Sequence, residues 1–185
     1  LPPSPLAKRW FDFLADEPRP SYAGMVIGPA VVVGPEPTAH GGVVRVEWLT
    51  STCAAYRRAA LPPGVFSARF QGYSALEDVD LSIRVARRFE LVVHTGAYIF
   101  HDTRPSRFKA PYVRAKMVVQ NRYYVMTATL GRTSVSHHLR FLASLAVPQI
   151  VSLRDVRRPQ DVVDWFLSLG GTLRGLATFS ALCRQ

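Results

Sequence analysis

The pattern of this chain changes near Pro105, and that change limits the folds open to it. Before it lie short β-like runs, Met25-Val26-Ile27 and Val31-Val32-Val33, broken by Gly28-Pro29 and ended by Gly34-Pro35-Glu36-Pro37. Val44, Val46 and Trp48 then alternate with Arg45 and Glu47, the period of a half-buried strand, and a longer apolar run covers residues 91–100. Beyond Pro105 no strand pattern returns and the periodicity is helical. The expectation is an α/β part over residues 1–104 followed by a helical extension over residues 105–185.

Helix signals are local and strong. Ser4-Pro5 has the chemistry of an N-cap followed by a first helical residue, and Leu6, Trp10, Phe13 and Leu14 follow at helical spacing, closed by Pro18 and Pro20. A short helix is expected after the Thr50-Ser51-Thr52 turn and is stopped by Leu61-Pro62-Pro63-Gly64. A helix reaching about Arg88 carries Leu81, Val85 and Phe89 on one side. Pro111 opens a helix through about Leu130, capped by Gly131, with Val113, Met117 and Tyr124 on one stripe. Helices over 136–146 and 162–182 follow, interrupted by Pro148 and Gly170-Gly171. The apolar stretch 141–153 is shorter than the roughly 20 residues that span a bilayer and contains Pro148 and Gln149, so it is not expected to cross one.

Charge divides at the same place. Residues 1–100 hold 10 Lys and Arg against 9 Asp and Glu, whereas residues 101–185 hold 13 against 4, so nearly all of the net charge of +10 lies in the second part. Such a segment attracts phosphates on nucleic acid, on a nucleotide or on an anionic membrane, or serves as a solvated basic face. The apolar content of 48% is that of a folded domain. Cys53 and Cys183 stand far apart without metal-ligand spacing, which fits a reducing compartment. The chain starts at Leu1 with no visible signal peptide, and it reads as processed or cut from something longer.

Within residues 72–84, Glu77, Asp78 and Asp80 place three carboxylates in four positions at a helix start. First-turn acids complement the helix dipole by about 0.3–1 kcal/mol each. Asp80 and Arg84 are also spaced as an ordinary i,i+4 surface pair, contributing about 0.2–0.5 kcal/mol. Capping alone does not account for Gly72-Tyr73 before the cluster or for the run ending in His101-Asp102 after it.

Taken together, Tyr56-Arg57-Arg58, Glu77-Asp78-Val79-Asp80 with Arg84, and His101 resemble the acceptor-side half of a family-2 glycosyltransferase of the GT-A fold, over roughly residues 25–130. The resemblance implies a partial Rossmann-like domain. It makes Asp78 the general base that deprotonates the acceptor hydroxyl, with Glu77 before it. An inverting transfer needs such a carboxylate within hydrogen-bond reach. Asp80 and Arg84 become supports of the loop and helix, Tyr56, Arg57 and Arg58 support the site, and His101 joins a Mg²⁺ or Mn²⁺ that holds the donor diphosphate. The helix with Gln120-Asn121-Arg122-Tyr123-Tyr124 resembles the one that follows the catalytic domain in bacterial polysaccharide-forming members.

Two departures accompany the resemblance. Thr50-Ser51-Thr52 stands where many members have a glycine, and neither the nucleotide-binding strand–turn–helix units nor an upstream Asp-x-Asp is found. The expected function is inverting transfer of a sugar from a nucleotide-sugar donor to a glycan or lipid-linked acceptor, with the nucleotide-binding half supplied in cis or in trans. The expected place is the cytoplasm, peripheral on the inner face of the membrane through the basic helices. The competing expectation is a non-catalytic module in which Arg104, Arg107, Lys109, Arg114, Lys116 and Arg122, interleaved with Tyr112, Tyr123 and Tyr124, hold nucleic acid or an anionic membrane. The acidic cluster opposes nucleic acid. An inactive relic of the enzyme is the third.

Overall fold

The computed structural model describes residues 4–36, 41–72, 74–100 and 110–178. Helix α1, Pro5–Leu14, starts where the Ser4 hydroxyl accepts the Ala7 amide at 3.2 Å. It buries Leu14 against Tyr22 and Ile27. Strands β1, Val26–Ile27, and β2, Val31–Val32, form an antiparallel hairpin. Its turn passes under α1: Gly28 has φ +44°, and a Cβ there would fall on the Leu14 carbonyl oxygen. Only glycine meets both requirements.

Strands β3, Val43–Val46, and β4, Leu91–His94, form a second antiparallel pair, with Val43 opposite His94 and Val46 opposite Leu91. Between them lies α2, Glu77–Ala86. The two sheets are tied by Glu47, whose carboxylate accepts the Val26 amide at 2.8 Å, and by Trp48, whose indole donates to the Val33 carbonyl at 3.0 Å. The mixed α/β character is present. Among the described residues, however, both sheets are antiparallel pairs, and the parallel pairing of a Rossmann-like sheet is not found.

Three expectations about the first part change. The helix after Thr50 is replaced by two 3₁₀ turns, Ser51–Cys53 and Arg58–Ala60. The stretch between extended residues 54–57 and Pro62 is too short to offset helix nucleation, and the residue before a proline disfavours the helical region. The run 91–100 is a strand only to His94, because Gly96 turns the backbone, with its amide on His94 Nδ1 at 3.2 Å. Phe89 lies beyond the end of α2 and is 40% exposed, while Leu81 and Val85 are buried as expected.

The second part contains α3, Pro111–Tyr124, a π-helical turn, Val125–Thr129, then α4, Val135–Ser152, and α5, Pro159–Ala177. The inward residues of α3 are Val119 and Asn121, and Val113 is exposed, contrary to the stripe expected from spacing. Pro148 does not stop α4, and Gly170-Gly171 does not interrupt α5. These glycines, each costing a helix interior about 1 kcal/mol, let α5 lie directly on α3. A Cβ at Gly171 would fall on the Tyr112 carbonyl oxygen, and one at Gly175 would come within 2.9 Å of the Val119 side chain. The main core joins Val26, Ala30, Phe70 and Val79 from residues 1–104 to Val119, Val125, Met126 and Phe141 from residues 105–185.

Candidate functional site

The acidic turn is held in an unusual backbone shape. Gly72, Ser74 and Leu76 have φ of +71°, +56° and +70°, and Leu76 is the N-cap of α2 without a capping side chain. A left-handed leucine or serine persists only where its surroundings enforce it. Here the Asn121 side-chain amide of α3 donates to the Ala75 carbonyl at 2.9 Å, between the two left-handed residues. Phe70 just upstream packs edge-on against Tyr124, 5.8 Å between ring centres. The helix following the α/β part thus shapes the acidic turn. No local signal in the sequence links Asn121 to Ala75.

The three carboxylates then diverge. Asp78 is half-exposed on the first turn of α2. One oxygen accepts the Ser51 amide at 3.2 Å and the other accepts the Val79 amide at 2.9 Å. Thr50 shapes that loop by accepting the Thr52 amide at 3.4 Å. The residues standing where the resemblance has glycine therefore bring a backbone N–H to Asp78.

Asp80 points inward and is 2% exposed. It pairs with Arg84 at 3.0 Å and accepts the Thr129 hydroxyl at 2.6 Å from the π-helical turn. Arg84 also donates to the Gly64 and Val65 carbonyls, at 3.2 and 2.6 Å. The pair expected at the surface from its spacing is therefore buried, and it ties the helix to the 64–65 loop.

Glu77 is half-buried, and burial raises its pKa above the ordinary carboxylate value. A hydrogen bond with Ser74 opposes the rise, and the neighbouring charge of Asp78 adds to it. An acid with a raised folded pKa favours folding most when neutral, so its contribution falls as pH climbs from the ordinary 4.5 through the folded value. Glu77→Gln removes that dependence. Urea unfolding of both chains at successive pH values should show the variant gaining on the parent above pH 4.5. A constant difference between them would contradict this environment for Glu77.

Tyr56 is half-buried, its hydroxyl 3.3 Å from Ser82 Oγ, which itself accepts the Leu49 amide at 2.9 Å. Tyr56 thus positions the strand end that leads to Ser51. Arg57 and Arg58 are exposed. Tyr56 and Arg57 line a cleft with Leu49, Val85, Phe89 and Leu91 at the C-terminal end of α2, away from its acidic first turn. His101 lies outside the described residues, as do Arg104, Arg107 and Lys109.

The acidic cluster does not fit a divalent cation. Asp80 is committed to Arg84 and Thr129, which leaves only Glu77 and Asp78, too few protein ligands for a divalent site. Among the described residues no group of three or more His, Cys, Asp or Glu side chains could hold a metal. Of the aromatics expected beside the basic residues, Tyr124 packs against Phe70 and Tyr123 against Phe141, so neither ring forms an open stacking platform. Comparisons with family models, with curated proteins and with solved structures found no match to this chain.

Proposed function

We propose that this chain supplies the acceptor side of an inverting sugar transferase of the family-2, GT-A type. Asp78 is its general base, and the donor is a nucleotide sugar bound by a half provided in cis or in trans. One observation carries the reading: two carboxylates two residues apart have been separated in environment. Asp80 is buried in an ion pair that braces the helix, while Asp78 remains half-exposed and oriented by the Ser51 and Val79 amides. A pure capping role has no use for the left-handed turn that Asn121 holds in place. An oriented, accessible carboxylate is what proton removal from an attacking hydroxyl requires. The Mg²⁺ or Mn²⁺ belongs, on this reading, with the donor diphosphate and the other half, and no step is assigned to the described acids through it.

The test is reconstitution. Residues 1–185 alone should show no metal-dependent affinity for nucleotide sugars in calorimetry at millimolar donor, and no transfer. Joining or adding the donor-binding half should restore both. Saturable donor binding by the chain alone would overturn the division of labour.

On this reading the second part holds the glycan or lipid-linked acceptor at a membrane. The solvent-facing sides of α4 and α5 carry Leu139, Leu142, Ile150, Val163, Phe166 and Leu173, all exposed. Arg154, Arg157 and Arg158 lie exposed between the two helices, and Arg174 near the end of α5. Apolar faces flanked by arginine suit the interface of an anionic leaflet. No helix of the described residues is long and apolar enough to cross a membrane. The chain should sediment with anionic vesicles at low salt, bind neutral vesicles poorly, and dissociate as salt rises. Tight binding of single-stranded nucleic acid with indifference to vesicles would favour the non-catalytic module instead.

A further inference from the structure

Arg122 is a half-buried charge with no carboxylate paired to it among the described residues. It occupies the inward side of α3, where Nε donates to the Pro29 carbonyl at 3.0 Å and Nη2 to Ser144 Oγ at 2.8 Å. Its guanidinium also lies 5.8 Å from the centre of the Phe141 ring. The other inward-turned arginines have carboxylates: Arg84 pairs with Asp80, and Arg132 and Arg140 share Asp16. Among the described residues none faces Arg122. Burial pulls its pKa down to about 10, which still leaves it charged at neutral pH. Removing an unpaired cation from water is costly, and interior charges ordinarily find a partner.

The space beside this charge is open. A cavity of about 390 Å³ lies between α3, α4 and α5, with Arg122 in its wall. Arg114, two helical turns earlier on α3, lines it too, with Val118 between them. The remaining walls are largely apolar, including Ala115, Val119 and Leu145, and among the described residues no carboxylate lines it. At Pro148, Gln149 and Ser168 the cavity meets a second depression, which runs between α4 and α5 to Trp165 and Val156. That far end carries Asp161, which accepts the Arg157 and Arg158 amides, and Asp164, which accepts the Gln160 side-chain amide. The Gln149 side chain donates to Ser168 Oγ at 3.1 Å across the boundary, so the first cavity stands by itself, cationic at Arg122 and Arg114 and largely apolar elsewhere.

We infer that this cavity binds an anion carried on an apolar chain, with its head between Arg122 and Arg114 and its chain against Ala115, Val118 and Leu145. The chemistry required is a compact head that accepts hydrogen bonds from a guanidinium fork, as a carboxylate or a phosphate ester does, joined to an unbranched hydrocarbon. None of these cavity residues belongs to the Asp78 turn, so the inference does not depend on the transferase reading.

The experiment is calorimetric titration of the full chain with dodecyl phosphate and with laurate, each below its micellar threshold. Dodecyl maltoside and inorganic phosphate serve as controls. At least one chain-bearing anion should bind saturably with one-to-one stoichiometry, and both controls much more weakly. Tighter binding of laurate identifies a carboxylate head, and of dodecyl phosphate a phosphate ester. Arg114→Ala, which removes the head's second contact, and Ala115→Leu, which fills the cavity, should each weaken binding about tenfold or more, the scale of a lost charged hydrogen bond. Both variants leave the interior contacts of Arg122 in place, and urea unfolding midpoints near that of the parent would verify the fold. Lack of saturable binding by either anion, equal binding of either control, or affinity unchanged in both variants would overturn the inference.

Discussion

Asp78→Asn in the complete enzyme should lower the rate of sugar transfer by roughly 10²–10⁴-fold, the range that a general base contributes, while donor affinity stays close to the parent value. The substitution is nearly isosteric. Its remaining carbonyl oxygen can still accept the Ser51 amide that Asp78 accepts at 3.2 Å, so the loop and the first turn of α2 keep their shape. What disappears is the ability to take a proton. Turnover at saturating donor and acceptor isolates that loss, because an effect on binding alone would leave it unchanged. A variant keeping more than about a tenth of the parent rate would remove Asp78 from the role. The same substitution should also lower the Glu77 pKa, since the charge of Asp78 contributes to its rise.

Asp80→Ala should unfold the chain much more readily without touching the acceptor directly. The side chains of Asp80 and Arg84 are 3% and 22% exposed. Removing one partner of such a buried pair typically costs about 3–5 kcal/mol, because the other charge is stranded. The Thr129 hydroxyl loses its acceptor at the same time, which loosens the π-helical turn from α2. The loss should appear as a lower urea midpoint with an unchanged slope. Asp80→Asn should lose less, since its carbonyl can still accept from Thr129. A cost below about 1 kcal/mol for Asp80→Ala would mean that the pair is as weak as a surface salt bridge, contradicting its burial. The two aspartates should therefore separate by assay, one failing in chemistry and the other in stability.

Local chemistry decided much of this molecule. Ser4-Pro5 start α1, Pro111 starts α3, and alternation over residues 43–46 forms β3, because caps, fixed proline torsions and side-chain periodicity act within a few residues. The crowding of Glu77, Asp78 and Asp80, and the pairing of Asp80 with Arg84, were legible for the same reason: i,i+4 spacing puts both on one helix face. Breakers were legible only as costs. Whether Pro148 and Gly170-Gly171 end their helices depends on what packs against them, and at Gly171 the Tyr112 backbone fills the space a side chain would have taken.

The site itself was decided by contacts far apart in sequence. Thr129 reaches Asp80, Ser51 reaches Asp78, and Asn121 holds Ala75 between two left-handed residues. The sequence could not say which of the three acids would be buried, because ionisable side chains of the same kind are distinguished only by the partners and solvent that tertiary folding leaves them. Arg122 is the sharpest instance. By sequence it was one more arginine in a basic stretch, and packing against Phe141, Pro29 and Ser144 made it a half-buried cation beside an open cavity.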